Sequence, residues 1–246
     1  MTKLIDVSAH NGIFDWVKVK KSGIDGVIIR TGFGQEHASQ IDTRFEANYN
    51  GCKAVGLPVG VYHYSYAENA TEALLEAEFV LKLLKDKQFE YPIYFDIEDK
   101  VHTKLSREIC DSIVTAFCSK LEKAGYWSGV YSFDSFFATH LSTAIVQRYS
   151  AWVARVENVK PIHCKAYGMW QYSWKGFVSG ISGEVDLNYC FKDFPALIKS
   201  KGLNGFTVKE DTYKITAVKA GLCRAEAVYK QKMFEAEGYT VEVVKE

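Results

Sequence analysis

Apolar residues recur along this chain with two periods, and the switches between them outline its elements. Short apolar runs fall at residues 4–8, 26–30, 58–64, 91–98, 127–132, 151–154, 169–173 and 184–188. Runs of this length, rich in β-branched and aromatic residues, predict buried strands. Between the first five, apolar positions return every three or four residues. Phe45, Tyr49, Cys52 and Val55 share one helical face, and Gly56 with Pro58 stops that helix. Ala73, Leu74, Ala77, Phe79, Val80, Leu81 and Leu84 form a second helix, capped by Asn69 or Thr71. Ser106 opens a third, with Ile109, Ile113, Ala116, Phe117 and Leu121 as its stripe and Gly125 as its end. Weaker helical patterns cover 14–21, 133–137 and 142–148, and a helix over 194–199 closes the series.

Strands that alternate with helices imply parallel pairing through crossovers. Eight strands in about 200 residues predict an α/β fold: a closed, TIM-like β/α barrel with fewer than eight helices, short of them in its second half. In such barrels the chemistry sits at the C-terminal ends of the strands. Those ends carry Asp6, Arg30, Tyr62 with Tyr64, Asp96 with Glu98, Tyr131, Trp152, Gln171 with Tyr172, and Asp186. Acids and aromatics gathered at one mouth suit a polysaccharide cleft.

The run from Tyr91 to Glu98 is the most informative. Residues two apart on a strand point the same way, so Asp96 and Glu98 share a face while Phe95 and Ile97 pack on the other. Adjacent carboxylates repel and lose water, which raises one pKa and leaves the other group ionised. Glycoside hydrolysis needs that pairing: a protonated acid at the leaving oxygen and a negative group beside the developing positive charge. Asp96 and Glu98 are suited to share these two roles, with Asp6 and Asp186 entering from the neighbouring first and eighth strands.

Composition narrows the partners. Lys and Arg number 30, Asp and Glu also 30, so no global field gathers nucleic acid, and no apolar run has membrane length. Aromatic residues make up 14% of the chain, which suits sugar faces and packed cores alike. The 6 His residues lack metal-ligand spacing, so neither metal nor cofactor is expected. The 6 Cys residues are scattered without a Cys-x-x-Cys and read as buried free thiols of a reducing compartment. The N-terminal residues show no secretory leader. A lone Gly32-Phe33-Gly34 is too weak for a nucleotide site.

Five motifs in order resemble the family 25 glycoside hydrolases, muramidases often found as phage endolysins. They are Asp-Val-Ser-x-x-Asn-Gly at 6–12, Val-Tyr-His-Tyr at 61–64, Asp-Ile-Glu at 96–98, Trp-Gln-Tyr-Ser at 170–173 and Val-Asp-Leu-Asn at 185–188. The resemblance covers roughly residues 3 to 200 and implies a flattened β/α barrel acting on bacterial peptidoglycan. It implies cleavage of the β-1,4 bond from N-acetylmuramic acid to N-acetylglucosamine, with Glu98 as general acid/base. Asp96 would be the nucleophile or would assist attack by the substrate's own N-acetyl group. Asp6 and Asp186 would orient the sugar, and Tyr62, Tyr64, Tyr131, Trp152, Gln171, Tyr172 and Asn188 would line the cleft. Arg30-Thr31-Gly32-Phe33-Gly34 departs from the Lys-Ala-Ser/Thr-Glu-Gly run of many relatives. The family also implies storage in the host bacterial cytoplasm until release to the wall. The rival readings are a non-catalytic wall-binding barrel and a chitinase-like glycosidase. Tyr94 stands where chitinases usually carry an Asp.

The domain boundaries expected are a barrel over 1–200, a linker over 201–206 and a small β-α-β unit over 207–246. In the last, Leu222, Ala225, Val228, Tyr229 and Met233 form a helix between strands at 213–217 and 239–244. This unit resembles half of a SPOR-type (sporulation-related) repeat, which implies wall binding, and an orphan half suggests a homodimer.

Overall fold

Alternation along each strand sends one set of side chains outward under the helices and the other inward. The computed structural model describes residues 1–35, 37–156, 159–208, 221–238 and 241. The strands are β1 (Thr2–Val7), β2 (Gly26–Phe33), β3 (Val59–Tyr64), β4 (Ile93–Asp96), β5 (Ser128–Phe133), β6 (Ser150–Ala154), β7 (Tyr167–Gly176) and β8 (Val185–Cys190). They close into one barrel in sequence order. The helices of this unit are α1 (Trp16–Lys21), α2 (Phe45–Ala54), α3 (Ala70–Leu84), α4 (Arg107–Lys123), α5 (Asp134–Thr139), α6 (Thr143–Arg148) and α7 (Phe194–Ser200). Asn69, not Thr71, caps α3, its side chain accepting from the Glu72 amide, and Ser106 caps α4. Ile109 and Leu74 of the expected stripes are exposed.

The strands are parallel from β1 to β7, but β8 runs antiparallel to both β7 and β1. A turn over residues 177–184 is too short for a crossover helix, so the chain returns as a hairpin. The all-parallel expectation is thereby corrected at the last strand. The reversal matters for the site. Asp186 lies at the start of β8, and pairing opposite Asp6 brings that start to the mouth formed by the C-terminal ends of the other strands.

Val27, Ile29, Val61, Phe95 and Ile97 pack outward with Phe45, Val80, Ile113 and Phe117 from the helices. Leu4, Ile28, Tyr94, Tyr131, Trp152 and Met169 fill the interior with Phe194 and Ile198 of α7. Phe194 meets Tyr91 and Trp127, which precede β4 and β5, so α7 plugs the end opposite the mouth. Gly129 makes room for Tyr94: a Cβ there would lie 2.6 Å from its ring and 2.5 Å from the Ser150 carbonyl oxygen. Residues 201–206, expected as a linker, are packed instead. Asn204 is fully buried, its Nδ2 donating to the carbonyls of Phe89 and Tyr91 and its Oδ1 accepting from the Trp127 amide.

The chain divides into compact units at Met1–Val208 and Lys209–Glu246. In the second, α8 (Arg224–Ala236) forms on the expected spacing, with Gly238 after it at φ 88°. The strands expected at 213–217 and 239–244 lie outside the described residues, apart from Val241. Cys52, Cys110, Cys118, Cys164 and Cys190 are buried and free, whereas Cys223 is exposed, against the expectation. Among the described residues no helix is long and apolar enough to cross a membrane.

Candidate active site

The pleat that buries Leu4, Ile28, Tyr94 and Met169 also aims the next inward residues, Asp6, Arg30, Asp96 and Gln171, at the mouth. Glu98 follows two residues after the last residue of β4. The ladder continues just past that strand: the Ile97 amide donates to the Tyr131 carbonyl at 3.0 Å. The Ser132 hydroxyl donates to the Ile97 carbonyl at 2.6 Å, which fixes the approach to Glu98.

Two amide side chains organise the acids. Gln171 Nε2 donates to Asp6 Oδ2 at 3.0 Å and to Asp186 Oδ2 at 3.1 Å. Its Oε1 accepts from the Tyr131 hydroxyl at 2.8 Å and from Trp174 Nε1 at 2.9 Å. An indole N–H can only donate, so the orientation of the amide is settled by its neighbours. Asn188 Nδ2 donates to Asp6 Oδ2 at 2.8 Å, and its Oδ1 accepts from Trp152 Nε1 at 2.8 Å. Asp6 therefore receives two buried donors.

The four carboxylates are all pushed upward, with burial the largest cause in each. Asp6 rises to about 6, since its bonds to Asn188, Gln171 and Asp186 oppose the desolvation. Asp186 rises to about 8, with the Asp6 charge adding to burial. Glu98 rises to about 7 through burial and the Asp6 charge, with the neighbouring Tyr131 hydroxyl opposing them. Asp96 is held well above the carboxylate range by burial, Glu98 and Asp6, and Arg30 opposes them. Its Oδ1 is buried without a hydrogen-bond partner. Burial therefore raises both members of the Asp96–Glu98 pair, and the Arg30 charge favours ionisation of Asp96.

Arg30 is the cation beside these acids. Its Nε donates to Asp42 Oδ2 at 2.7 Å, and Asp42 is buried and also accepts from the Ala9 and Arg44 amides. The run that departs from the relatives' pattern therefore places a positive charge on β2 beside the acids.

A profile of the glycosyl hydrolases family 25 matches residues 5–181. The chain belongs to glycosyl hydrolases family 25. It is 30% identical over 186 residues to the autolytic lysozyme of Clostridium acetobutylicum, an alignment covering 76% of this chain and 55% of that protein. The chain thus spans little more than half the length of that relative. Among solved structures, the CTP1L endolysin superposes with a TM-score of 0.69 at 29% identity, over 81% of this chain and 70% of that one. The modular autolysin LytC of Streptococcus pneumoniae gives a TM-score of 0.68 at 32% identity, over 76% and 46%, and has also been solved with a synthetic peptidoglycan ligand.

In this family 25 barrel, Asp6, Asp96, Glu98 and Asp186 come together with Tyr62, Tyr131, Gln171 and Asn188. Several residues expected to line the cleft do something else. Trp152 and Asn188 are fully buried and support Asp6 from below. Gln171 is 2% exposed and acts as a bridge between acids. Tyr172 points to the opposite face of β7 from Gln171, where it stacks on Tyr189 at 4.4 Å and meets Trp170. Tyr64 donates to Asp99 at 3.1 Å and meets the exposed Tyr66, so it edges the mouth. Asp99 and Trp174 were missed in the sequence. Trp174 had a signal: β7 runs on to Gly176, past the expected end at Ser173.

Proposed function

We propose that this chain is a lysozyme-type glycoside hydrolase that cleaves the β-1,4 bond between N-acetylmuramic acid and N-acetylglucosamine in bacterial peptidoglycan. The observation that carries the reading is the convergence of four carboxylates with raised pKa values at one barrel mouth in a family 25 fold. Glu98, at about 7, is half protonated near neutrality and is the general acid/base. Asp96 supplies negative charge beneath the sugar. Four desolvated acids opposed by Arg30 are poorly stabilised when the mouth is empty. A positive charge developing on the sugar relieves their repulsion, so the transition state gains more than the ground state. That gain also favours ionisation of Asp96.

The unpaired Oδ1 of Asp96 favours the N-acetyl-assisted variant, in which this carboxylate accepts the acetamido N–H and orients the amide oxygen toward the anomeric carbon. Asp6, held by Gln171 and Asn188, and Asp186 keep that geometry rigid. Intact Asp96 and Glu98 weigh against a silent wall-binding barrel, and Tyr94 weighs against a chitinase. The 209–246 unit is read as an additional wall-holding or pairing element. Light scattering and wall binding without residues 209–246 test that role, and a monomer that binds walls equally well without them removes it.

The test of the main reading is digestion of purified peptidoglycan followed by reduction and mass analysis of the fragments. New reducing ends on muramic acid support it; ends on glucosamine, or none, overturn it.

A further inference from the structure

A cavity of about 350 Å3 opens between the ends of β5, β6 and β7. Phe133, Asp134, Ser135, Arg155, His163 and Trp174 line it. Its charged groups take no part in the chemistry above, yet it lies one side chain from the carboxylates. Trp174 in its wall donates to Gln171 Oε1, and Gln171 bridges Asp6 and Asp186. Phe133 and Trp174 meet edge to face at 6.3 Å, giving the cavity an apolar side.

Arg155 supplies the polar side. Its Nη1 donates to Asp134 Oδ2 at 2.8 Å, and its side chain is 29% exposed. Asp134 is itself saturated, because its oxygens accept the amides of Ile162 at 3.0 Å, His163 at 3.1 Å and Cys164 at 3.0 Å. Burial pushes that carboxyl up, but these donors outweigh it and hold it below the ordinary range. Asp134 therefore works as an anchor already supplied with donors. It fixes the guanidinium by one edge and leaves most of the N–H fork unspent among the described residues. The backbone is held as well: the Arg155 amide donates to the Gln171 carbonyl at 3.0 Å, and Trp170 Nε1 donates to the Arg155 carbonyl at 2.7 Å. A pre-positioned planar fork matches a carboxylate in two-point geometry.

We propose that this cavity is a subsite for a carboxylate of the stem peptide carried by muramic acid, with Arg155 as the residue that binds it. The inference rests on the muramidase reading. Within peptidoglycan the lactyl group is amide-linked to the peptide and uncharged, so the anions nearest the cleaved bond belong to the stem. The Phe133–Trp174 wall suits the aliphatic part of such a peptide. Arg155 then sets specificity for peptide-bearing glycan and takes no part in bond breaking.

The test compares native peptidoglycan with the same material after carbodiimide-driven amidation of its free carboxylates, which removes charge and keeps shape. For the wild-type chain, amidation is expected to lower kcat/KM by ~10-fold, the scale of one hydrogen-bonded charge pair, chiefly through KM. Arg155→Gln is expected to lose a similar factor on native material and to be indifferent to amidation, while Arg155→Lys keeps part of the preference. A wild-type rate unchanged by amidation overturns the subsite, and needs no variant to fold. Equal sensitivity of wild type and Arg155→Gln also overturns it. Cleavage of neither substrate by the wild type overturns the muramidase reading itself.

Discussion

Asp6 and Asp186 stand opposite each other in the β1–β8 register, and one amide, Gln171 Nε2, donates to both. The contact exists because β8 runs backwards. Gln171→Met keeps the volume and removes the bridge. It leaves the Tyr131 hydroxyl and the Trp174 indole without their acceptor and two acids without their common donor. The Tyr131 hydroxyl is buried, and orphaning it costs about 1–3 kcal/mol, whereas the exposed Trp174 can turn to water. We expect lower stability in urea and a fall in kcat of ~10-fold or more, since the acids lose their fixed geometry. Unchanged kinetics would remove the bridge from the account.

As the proposed general acid, Glu98 would set the alkaline limb of activity. An acid that must deliver a proton works below its pKa, and burial places this one at about 7. kcat is expected to decline as pH rises through that value. Initial rates of reducing-end release across pH 4–9 check this. A plateau extending to pH 9 would assign the proton to another group.

Arg30 acts on the opposite limb. Its charge opposes the upward push on Asp96, and Asp42 holds it in place. With Arg30→Gln, Asp96 ionises only at higher pH. The acid limb of kcat/KM should move upward while the alkaline limb stays. A uniform loss with unmoved limbs would make Arg30 merely structural.

Asp96 costs stability. Its folded pKa lies above its unfolded value, so the folded state binds that proton more tightly. The contribution of this group therefore declines as pH rises above the ordinary Asp range, near 4. Asp96→Asn removes the ionisation and keeps the shape. Near pH 4 the variant and the wild type should melt together. At pH 8 the variant should melt ~3 °C or more above the wild type, the scale of about 1 kcal/mol in a domain this size, although it is inactive. Calorimetry at both pH values decides it.

The fold was largely legible because strands such as β2, β4, β5 and β6 are short apolar runs buried on both faces, and the pleat that packs Phe95 and Ile97 under the helices also turns Asp96 inward. What the pattern cannot carry is direction. Val185 to Cys190 reads the same whether it runs with or against its neighbours, and only the short 177–184 turn hinted at reversal. Tyr172 was misplaced beside Gln171, although neighbours on a strand point oppositely. The extent of desolvation was illegible for a related reason. Spacing puts Asp96 and Glu98 together, but depth decides how much water they lose, and depth belongs to the closed barrel. Asn204 shows the same limit: a Gly-Leu-Asn-Gly stretch looks like a linker until its amide is found tying the floor beneath β4 and β5.

The central claim is that Glu98 transfers the proton from a mouth built by Asp6, Asp96 and Asp186. Its most direct test is the rate at which Glu98→Gln releases new reducing ends from purified peptidoglycan near pH 6, with wild-type melting behaviour as the control for folding. A loss of ~100-fold or more is expected, the usual scale of a general acid. A folded Glu98→Gln that hydrolyses the wall at the wild-type rate would contradict the account.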